Sequence, residues 1–423
     1  MKKRVVITGL GIAAPNGVGI PAFLNAIRNG VSGVQWFEEL EQLNFSCQLG
    51  AVPIISEEKK RTYFSDLELK NFNSSGILYG TIAGLDALED AGLQKAAPSG
   101  SPHWDLGVIF GTGTSGVDKF REAIYKLDAG KVRRLGSTTV AQTMASGISA
   151  YLGGKIGAGN KVTTNSSACA TGTEAILIGY EHIAAGRAVQ MLCGSCSDDG
   201  PYLWGGFDAM KVTTFKNNDR PTEASRPMSA TASGFVPGSG AGALLLESLE
   251  SAQARGATIY AEVRGGCVNS GGQRHGGSMT APNSEAVQRC IAQAISNAGI
   301  DSGQIDYVNG HLTATVKDPV EIANWCTAIG RSGSDFPYIN SLKSLIGHGL
   351  AASGSMETVA AVLQLHHGFV APNINCEDLH PEIAAMVASE KIPQHMIEVP
   401  LKTIAKASFG FGDVNACSIF SKI

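Results

Sequence analysis

Short apolar runs alternate along this chain with stretches whose apolar residues recur every three or four positions, and that alternation predicts strands followed by helices. Strands are expected at residues 4–8, 106–111, 188–193, 244–247, 259–264 and 305–309, and helices at 77–93, 139–151 and 284–298. Layers of helix over a largely buried sheet follow from that order. One stretch organises the rest. Residues 161–167 read as a strand, and from Ala170 to about Ala185 the pattern is apolar nearly all round (Ile176, Leu177, Ile178, Ile183, Ala184), which suits a helix buried on every side. Cys169 sits between them among small residues. A strand that turns sharply into a buried helix leaves this cysteine at the helix N-terminus, where unpaired N–H groups and the positive dipole end favour a thiolate. The plainer alternative is a small buried cysteine with no chemistry.

Composition narrows the class. At 423 residues the chain has room for two or three domains or one large fused one, and a hydrophobic content of 43% supports a large core. A formal net charge of −4 gives no reason to expect nucleic acid or an anionic membrane as partner. Nine cysteines, scattered without small-scaffold spacing, read as reduced thiols of a cytoplasmic protein. The basic start before an apolar run mimics a signal peptide, but Thr8, Gly9 and Gly11 interrupt the run and Pro15-Asn16-Gly17 ends it as a turn. No apolar stretch approaches the ~18–20 residues of a membrane helix.

Three motifs carry little weight. The Gly9-Leu10-Gly11 segment hints at a dinucleotide fingerprint, yet Pro15-Asn16-Gly17 replaces the helix that should receive a pyrophosphate. Cys193 and Cys196 have CxxC spacing without a second pair or histidines, so neither zinc nor redox work is expected. The basic cluster Lys131, Arg133 and Arg134 reads as a solvated face.

Four segments make the cysteine specific: Ser167-Ala168-Cys169-Ala170-Thr171-Gly172; Asn309-Gly310-His311-Leu312-Thr313-Ala314-Thr315; residues 340–357, with Lys343, His348 and Glu357; and Ser408-Phe409-Gly410-Phe411-Gly412-Asp413. Together they resemble the β-ketoacyl-acyl-carrier-protein synthases, condensing enzymes of the thiolase-like fold, and the resemblance runs almost end to end. It implies an α/β chain with a five-layered α-β-α-β-α arrangement of two pseudo-repeated halves, residues 1–255 carrying the cysteine and 256–423 the histidines and Lys343. It implies decarboxylative Claisen condensation of an acyl group with a malonyl-acyl-carrier protein, in type II fatty-acid, polyketide or aryl-polyene synthesis. Such a step needs a thioester carrier, enolate stabilisation and donors for a tetrahedral oxyanion. Cys169 supplies the first, His311 and His348 the second, and backbone N–H groups of Cys169 and Phe411 the third, with Lys343 and Glu357 orienting the histidines. Phe411 also reads as a gate. No metal or other cofactor is implied. Two histidines rather than His and Asn favour elongation over CoA-primed initiation, and Gly-Phe-Gly where degradative thiolases hold a second cysteine ranks those lower.

The implied partners are acyl carrier protein and a second subunit, identical or related, joined through residues 161–167. Lys216 and Arg220 fall where the resemblance puts carrier-contacting basic residues. The alternative function is a non-catalytic subunit of the chain-length-factor kind, which shapes a heterodimer's tunnel and usually lacks the nucleophile. Departures from the family pattern stand at Leu312 and Asp413, where glycine is usual, and at Met228 to Ser233, where charged residues are usual.

Overall fold

The computed structural model describes residues 2–423. The centre is built from β1 (Val5–Ala14), β2 (Leu106–Thr112), β3 (Val162–Thr163), β4 (Gln190–Ser197), β5 (Gly240–Ser248), β6 (Ala261–Ser270), β7 (Tyr307–Asn309), β8 (Tyr338–Asn340), β9 (Thr403–Gly410) and β10 (Val414–Ser421). The first five lie in the order β3-β2-β4-β5-β1 and the last five in the order β8-β7-β9-β10-β6, the same arrangement displaced by five strands. Pairing sense repeats as well. Strands β3, β2 and β4 are mutually parallel and β5 and β1 antiparallel to their neighbours; β8, β7 and β9 are parallel and β10 and β6 antiparallel. The two sets join where Val5 pairs with Val263, Val6 with Glu262 and Ile7 with Ala261. Sequence periodicity shows no such repeat, because topology constrains only strand length, apolar content and the hand of crossovers.

Helices complete five layers. α1 (Ser75–Asp90) and α2 (Gly147–Ile156) cover the outer face of the first set, and α4 (Ser284–Ala298) and α5 (Asp318–Ile329) that of the second. Between the sheets α3 (Thr171–Ala184) packs against α6 (Ser353–His367). Their first turns touch: a Cβ on Gly172 would lie 2.2 Å from the backbone N of Ser355, and one on Gly354 2.6 Å from that of Thr173. The segments just before these helices, holding Cys169 and His348, are therefore brought to one place.

Several elements differ from the expectations. Only Val162 and Thr163 of residues 161–167 join a ladder. Beyond them the Asn, Ser and Thr side chains spend their hydrogen bonds on a turn: Asn165 Nδ2 donates to Thr171 O (3.0 Å) and the Ser167 N–H to Thr171 Oγ1 (2.8 Å). The helix expected over 139–151 breaks at Met144, whose ψ of 141° is extended, and α2 continues to Ile156. The expected polar connection at 252–258 is partly helical, because Ser248 caps a helix over Leu249–Ala254. Gly9 and Gly11 lie inside β1, where a Cβ would reach Ala87 O at 2.1 Å and Ala83 O at 1.9 Å, so they serve close passage of α1 and not a phosphate. Cys193 and Cys196 point to opposite sides of β4, into different apolar clusters. In place of the charges usual near Met228–Ser233, Ser229 Oγ and the Thr231 N–H donate to Asp378, which also pairs with Arg226 at 2.9 Å.

Candidate active site

The cysteine turn is held by its own neighbours. Ala168 adopts φ 49°, a left-handed conformation that costs a non-glycine residue about 1–2 kcal/mol. Thr171 Oγ1 donates to Ala168 O (2.6 Å), and Glu174 accepts from Asn165 Nδ2 (2.9 Å) and from Ser167 Oγ. Cys169 is thereby fixed one residue ahead of Ala170, the N-cap of α3, and is buried. The thiolate expected from that position is not favoured in the resting site. Burial pushes the thiol up to about 11, outweighing the opposing pull of Lys343 and of the backbone N–H groups of Phe411 and of Cys169 itself.

The Cys169 sulfur and one ring nitrogen each of His311 and His348 lie within 4.8 Å of one another. The imidazoles meet edge to face with centroids 5.5 Å apart. Burial, reinforced by Lys343 and Lys406, holds both histidines well below their ordinary range, so both are neutral. For His348 the tautomer follows from geometry. Its Nδ1 accepts the N–H of Leu350 (3.2 Å), which leaves the ring proton on Nε2, and Ser353 Oγ lies 2.9 Å from the same Nδ1. Nδ1 of His311 is buried and makes no hydrogen bond among the described residues.

Behind the histidines is a buried ionic cluster. Lys343 Nζ donates to His311 O (2.6 Å) and to Glu357 Oε1. Lys406 approaches the other carboxylate oxygen, Oε2, at 2.8 Å, and all three side chains are essentially inaccessible to solvent. The sequence reading found Lys343 and Glu357 and missed Lys406. Its signal was a single lysine inside the otherwise apolar run Ile404-Ala405-Lys406-Ala407, since a charged residue in a core strand is normally paired.

The His311 loop also rests on two acids whose roles the sequence reading did not assign. Glu321 accepts the N–H groups of His311 and Leu312, each at 2.7 Å, and Asp318 accepts those of Thr313 (2.9 Å), Ala314 (3.1 Å) and Met228 (2.9 Å). Leu312, in place of glycine, has φ 21° and is wholly buried in the apolar cluster with Ile322 and Trp325. It anchors the loop that a glycine would leave free.

Two cavities meet at Cys169. The outer one, of about 380 Å³, is lined by His311, His348, Thr313, Thr315 and, from one segment, His275, Gly276, Thr280, Ala281, Pro282 and Ser284. The inner one, of about 300 Å³, is lined by Thr114, Ser166, Leu203, Phe207 and Ala351. Phe411 borders both and lies 6.0 Å from the Phe207 ring, which places it as a partition between them. Asp413 does not add a free charge to this partition. It takes the left-handed φ of 62° that glycine would, and its buried carboxylate accepts the N–H groups of Gln273 (2.9 Å) and Asn283 (2.8 Å), tying down the roof of the outer cavity.

Lys216 and Arg220 lie outside this cluster. Arg220 is exposed and already paired with Glu223 at 2.8 Å. Lys216 is exposed with its ammonium 5.8 Å from the Phe215 ring centre, and among the described residues no carboxylate pairs with it. The Cys169–His311–His348 triangle is compact enough for a zinc ion. Two ammonium groups directly behind it and a protonated thiol oppose a divalent cation, and the same donors suit a thioester carbonyl better.

Comparison with known proteins agrees with this geometry. Residues 2–252 match the family model "Beta-ketoacyl synthase, N-terminal domain" and residues 260–377 match "Beta-ketoacyl synthase, C-terminal domain". A 3-oxoacyl-[acyl-carrier-protein] synthase 1 of Escherichia coli (strain K12) is 34% identical over 427 residues, covering 100% of this chain and 99% of the relative. A type II polyketide ketosynthase, solved in complex with its acyl-carrier protein and bound to the hexaketide, superposes with a TM-score of 0.86 at 30% identity, covering 100% of both chains. The ishigamide ketosynthase/chain length factor superposes with a TM-score of 0.88 at 25% identity, again covering 100% of both chains. With a cysteine turn, two neutral histidines and a Lys–Glu pair assembled in a doubled α/β frame, and with relatives matched from end to end, the chain belongs to the β-ketoacyl synthase family.

Proposed function

We propose that this chain is an acyltransferase that condenses an acyl group held on Cys169 with a malonyl-acyl-carrier protein, releasing carbon dioxide and a β-ketoacyl-acyl-carrier protein. The observation that supports it best is the meeting of Cys169 Sγ with two neutral imidazoles within 4.8 Å, at the junction of two cavities. Residues 1–255 supply the nucleophile and residues 256–423 the histidines, Lys343 and Glu357. In the first half-reaction the Cys169 sulfur displaces the carrier thiol from an acyl thioester, the thiol proton passing to the departing sulfur, and the acyl chain lies in the inner cavity. In the second, a malonyl thioester occupies the outer cavity and loses carbon dioxide, and the enolate oxygen accepts hydrogen bonds from His348 Nε2–H and from His311. The enolate carbon attacks the acyl carbonyl, whose oxyanion is held by the N–H groups of Cys169 and Phe411, each such donor being worth about 3–4 kcal/mol of barrier. Collapse restores the carbonyl and expels the Cys169 thiolate.

The neutral histidines make decarboxylation possible without a metal. A protonated imidazole next to Lys343 and Lys406 would pile positive charge into a buried site, whereas a neutral N–H donor stabilises the enolate at no such cost. The partner reading has physical support too. β3 ends the strand order with Val162 half exposed, and Phe120, Tyr125, Val132 and Val140 present large apolar faces to solvent. A second copy or a related subunit, placed edge to edge on β3, would pair the open strand. No helix among the described residues is long and apolar enough to cross a membrane, and the reduced cysteines fit a cytoplasmic location.

The test is incubation of the purified chain with a panel of acyl-carrier proteins and malonyl-carrier protein, read by intact-protein mass. Wild type should gain the acyl mass and then lose it when malonyl-carrier protein is added, while Cys169→Ala should never gain it. Acylation that persists in Cys169→Ala, or maps to Cys193 or Cys196, would overturn the assignment. A wild-type chain that takes no acyl group from any donor would leave the chain-length subunit as the better reading.

A further inference from the structure

Lys406 touches no reacting atom in the mechanism above, yet it is wholly buried in β9, and burial of an ammonium is costly unless it is paired. Its partners trace a continuous polar path. Thr173 Oγ1, on the helix that follows Cys169, is 2.9 Å from Ser408 Oγ; Lys406 Nζ donates to that hydroxyl at 3.0 Å and lies 2.8 Å from Glu357 Oε2; Glu357 Oε1 holds Lys343; and Lys343 donates to the carbonyl of His311 at 2.6 Å. Lys406 also donates to Ala407 O. One buried chain thus links the nucleophile's helix to the His311 loop, and its middle member is Lys406.

Charge points the same way. Lys343 and Glu357 alone form a neutral pair, whereas with Lys406 the cluster carries a net positive charge. The groups facing the cluster are His311 and His348 at the cavity, Cys169 on the turn before α3, Glu321 and Asp318 on α5, Tyr307 on β7 and Cys417 on β10. Lys406 acts on both imidazoles, while the thiol of Cys169 responds to Lys343 and Glu357.

We infer that Lys406 is a positioning residue for His311 and His348: it clamps the second oxygen of Glu357 and keeps a net positive charge behind the two imidazoles, so that they remain neutral N–H donors as the medium becomes acidic. The inference rests on the condensing reaction proposed above and names a residue of this chain that supports its decarboxylation half. Removing the charge leaves a neutral Lys343–Glu357 pair, and the histidines then gain protons at higher pH.

The test compares wild type with Lys406→Met and with Lys406→Gln, which keeps a donor for Ser408 Oγ. Three readouts are needed: the pH profile of malonyl-carrier decarboxylation, acylation of Cys169 by a small thioester at fixed pH, and thermal unfolding. The acid limb of the decarboxylation profile should move to higher pH by at least about half a unit in both variants. Acylation should stay within about two-fold of wild type, since the thiol answers to Lys343 and Glu357. An acid limb that does not move in a folded variant overturns the inference, because a merely structural lysine would lower the rate at every pH alike. Failure of both variants to fold also overturns it, making Lys406 a packing residue. If wild type itself neither decarboxylates malonyl-carrier protein nor accepts an acyl group, the proposed function fails, a result distinct from either of these.

Discussion

Replacing Asp413 by glycine would restore the residue usual in this family, and the structure predicts that it destabilises this chain. Two opposing effects decide the sign. Asp413 sits at φ 62°, so glycine would relieve a left-handed backbone worth about 1–2 kcal/mol. Against this, the carboxylate accepts two backbone N–H groups, Gln273 at 2.9 Å and Asn283 at 2.8 Å, from a position with no exposure to solvent. Hydrogen bonds to a charged group contribute about 1.5–3 kcal/mol each, so roughly 3–6 kcal/mol is lost and the net destabilisation is about 1–5 kcal/mol. The loop is shaped to the carboxylate: a Cβ on Gly271 would stand 2.2 Å from Asp413 Oδ2, and one on Gly277 2.5 Å from it. Asp413→Gly should lower the urea midpoint and speed hydrogen exchange across residues 271–283, and because His275, Ala281 and Pro282 line the outer cavity, it should raise KM for malonyl-carrier protein. Asp413→Asn, which keeps one acceptor oxygen and tolerates the backbone angle, should fall between. A glycine variant as stable as wild type, with unchanged exchange in this loop, would refute the reasoning.

His311→Ala and His348→Ala should each still accept an acyl group on Cys169 but lose condensation by at least about a hundred-fold, as single-turnover mass measurements would show; lost acylation with normal malonyl decarboxylation would reverse the roles. Both histidines are held neutral when folded and regain ordinary basicity when unfolded, so below about pH 6.5 the unfolded chain binds more protons, and each should cost about 1.4 kcal/mol of stability per pH unit of acidification. Asp318 and Glu321, which burial raises to about 6 and about 7, oppose this by binding protons more tightly when folded. The check is therefore the difference in unfolding free energy between wild type and His311→Asn/His348→Asn across pH 5–7, and parallel curves would contradict the assignment. Charge reversal at Lys216 and Arg220 should weaken use of carrier-bound substrate, most at low salt, while sparing acylation by a small thioester. Lys216 should carry most of the effect, because Arg220 is already paired with Glu223; equal losses with both donors would count against docking there.

How the acid at Asp413 came to matter shows what the sequence could and could not reveal. The order of strands and helices was legible because apolar periodicity is local, and Ser284–Ala298 was read to the residue. Cys169, His311, Lys343, His348, Glu357 and Phe411 were legible as candidates because each stands in a short segment that resembles a motif of the family, Cys169 also by its place between a strand and a buried helix. Lys406 and the contacts of Asp318 and Glu321 were not, since their partners come from other segments and nothing in their own neighbourhood announces them. Short-range pattern also misjudged residues 161–167, whose Thr, Asn and Ser side chains suit a strand but were recruited by Thr171 and Glu174 into the turn. The thiol's protonation is the clearest division. The sequence placed Cys169 at a helix N-terminus, which favours the thiolate, but the depth of burial is set by two sheets, the abutting starts of α3 and α6, and the loop of Phe411. In the folded chain desolvation outweighs the helix end, because the loss of water acts on the whole charge while the dipole offers only a fraction of one. Local sequence determined which groups are available; tertiary packing decided the charge each of them carries.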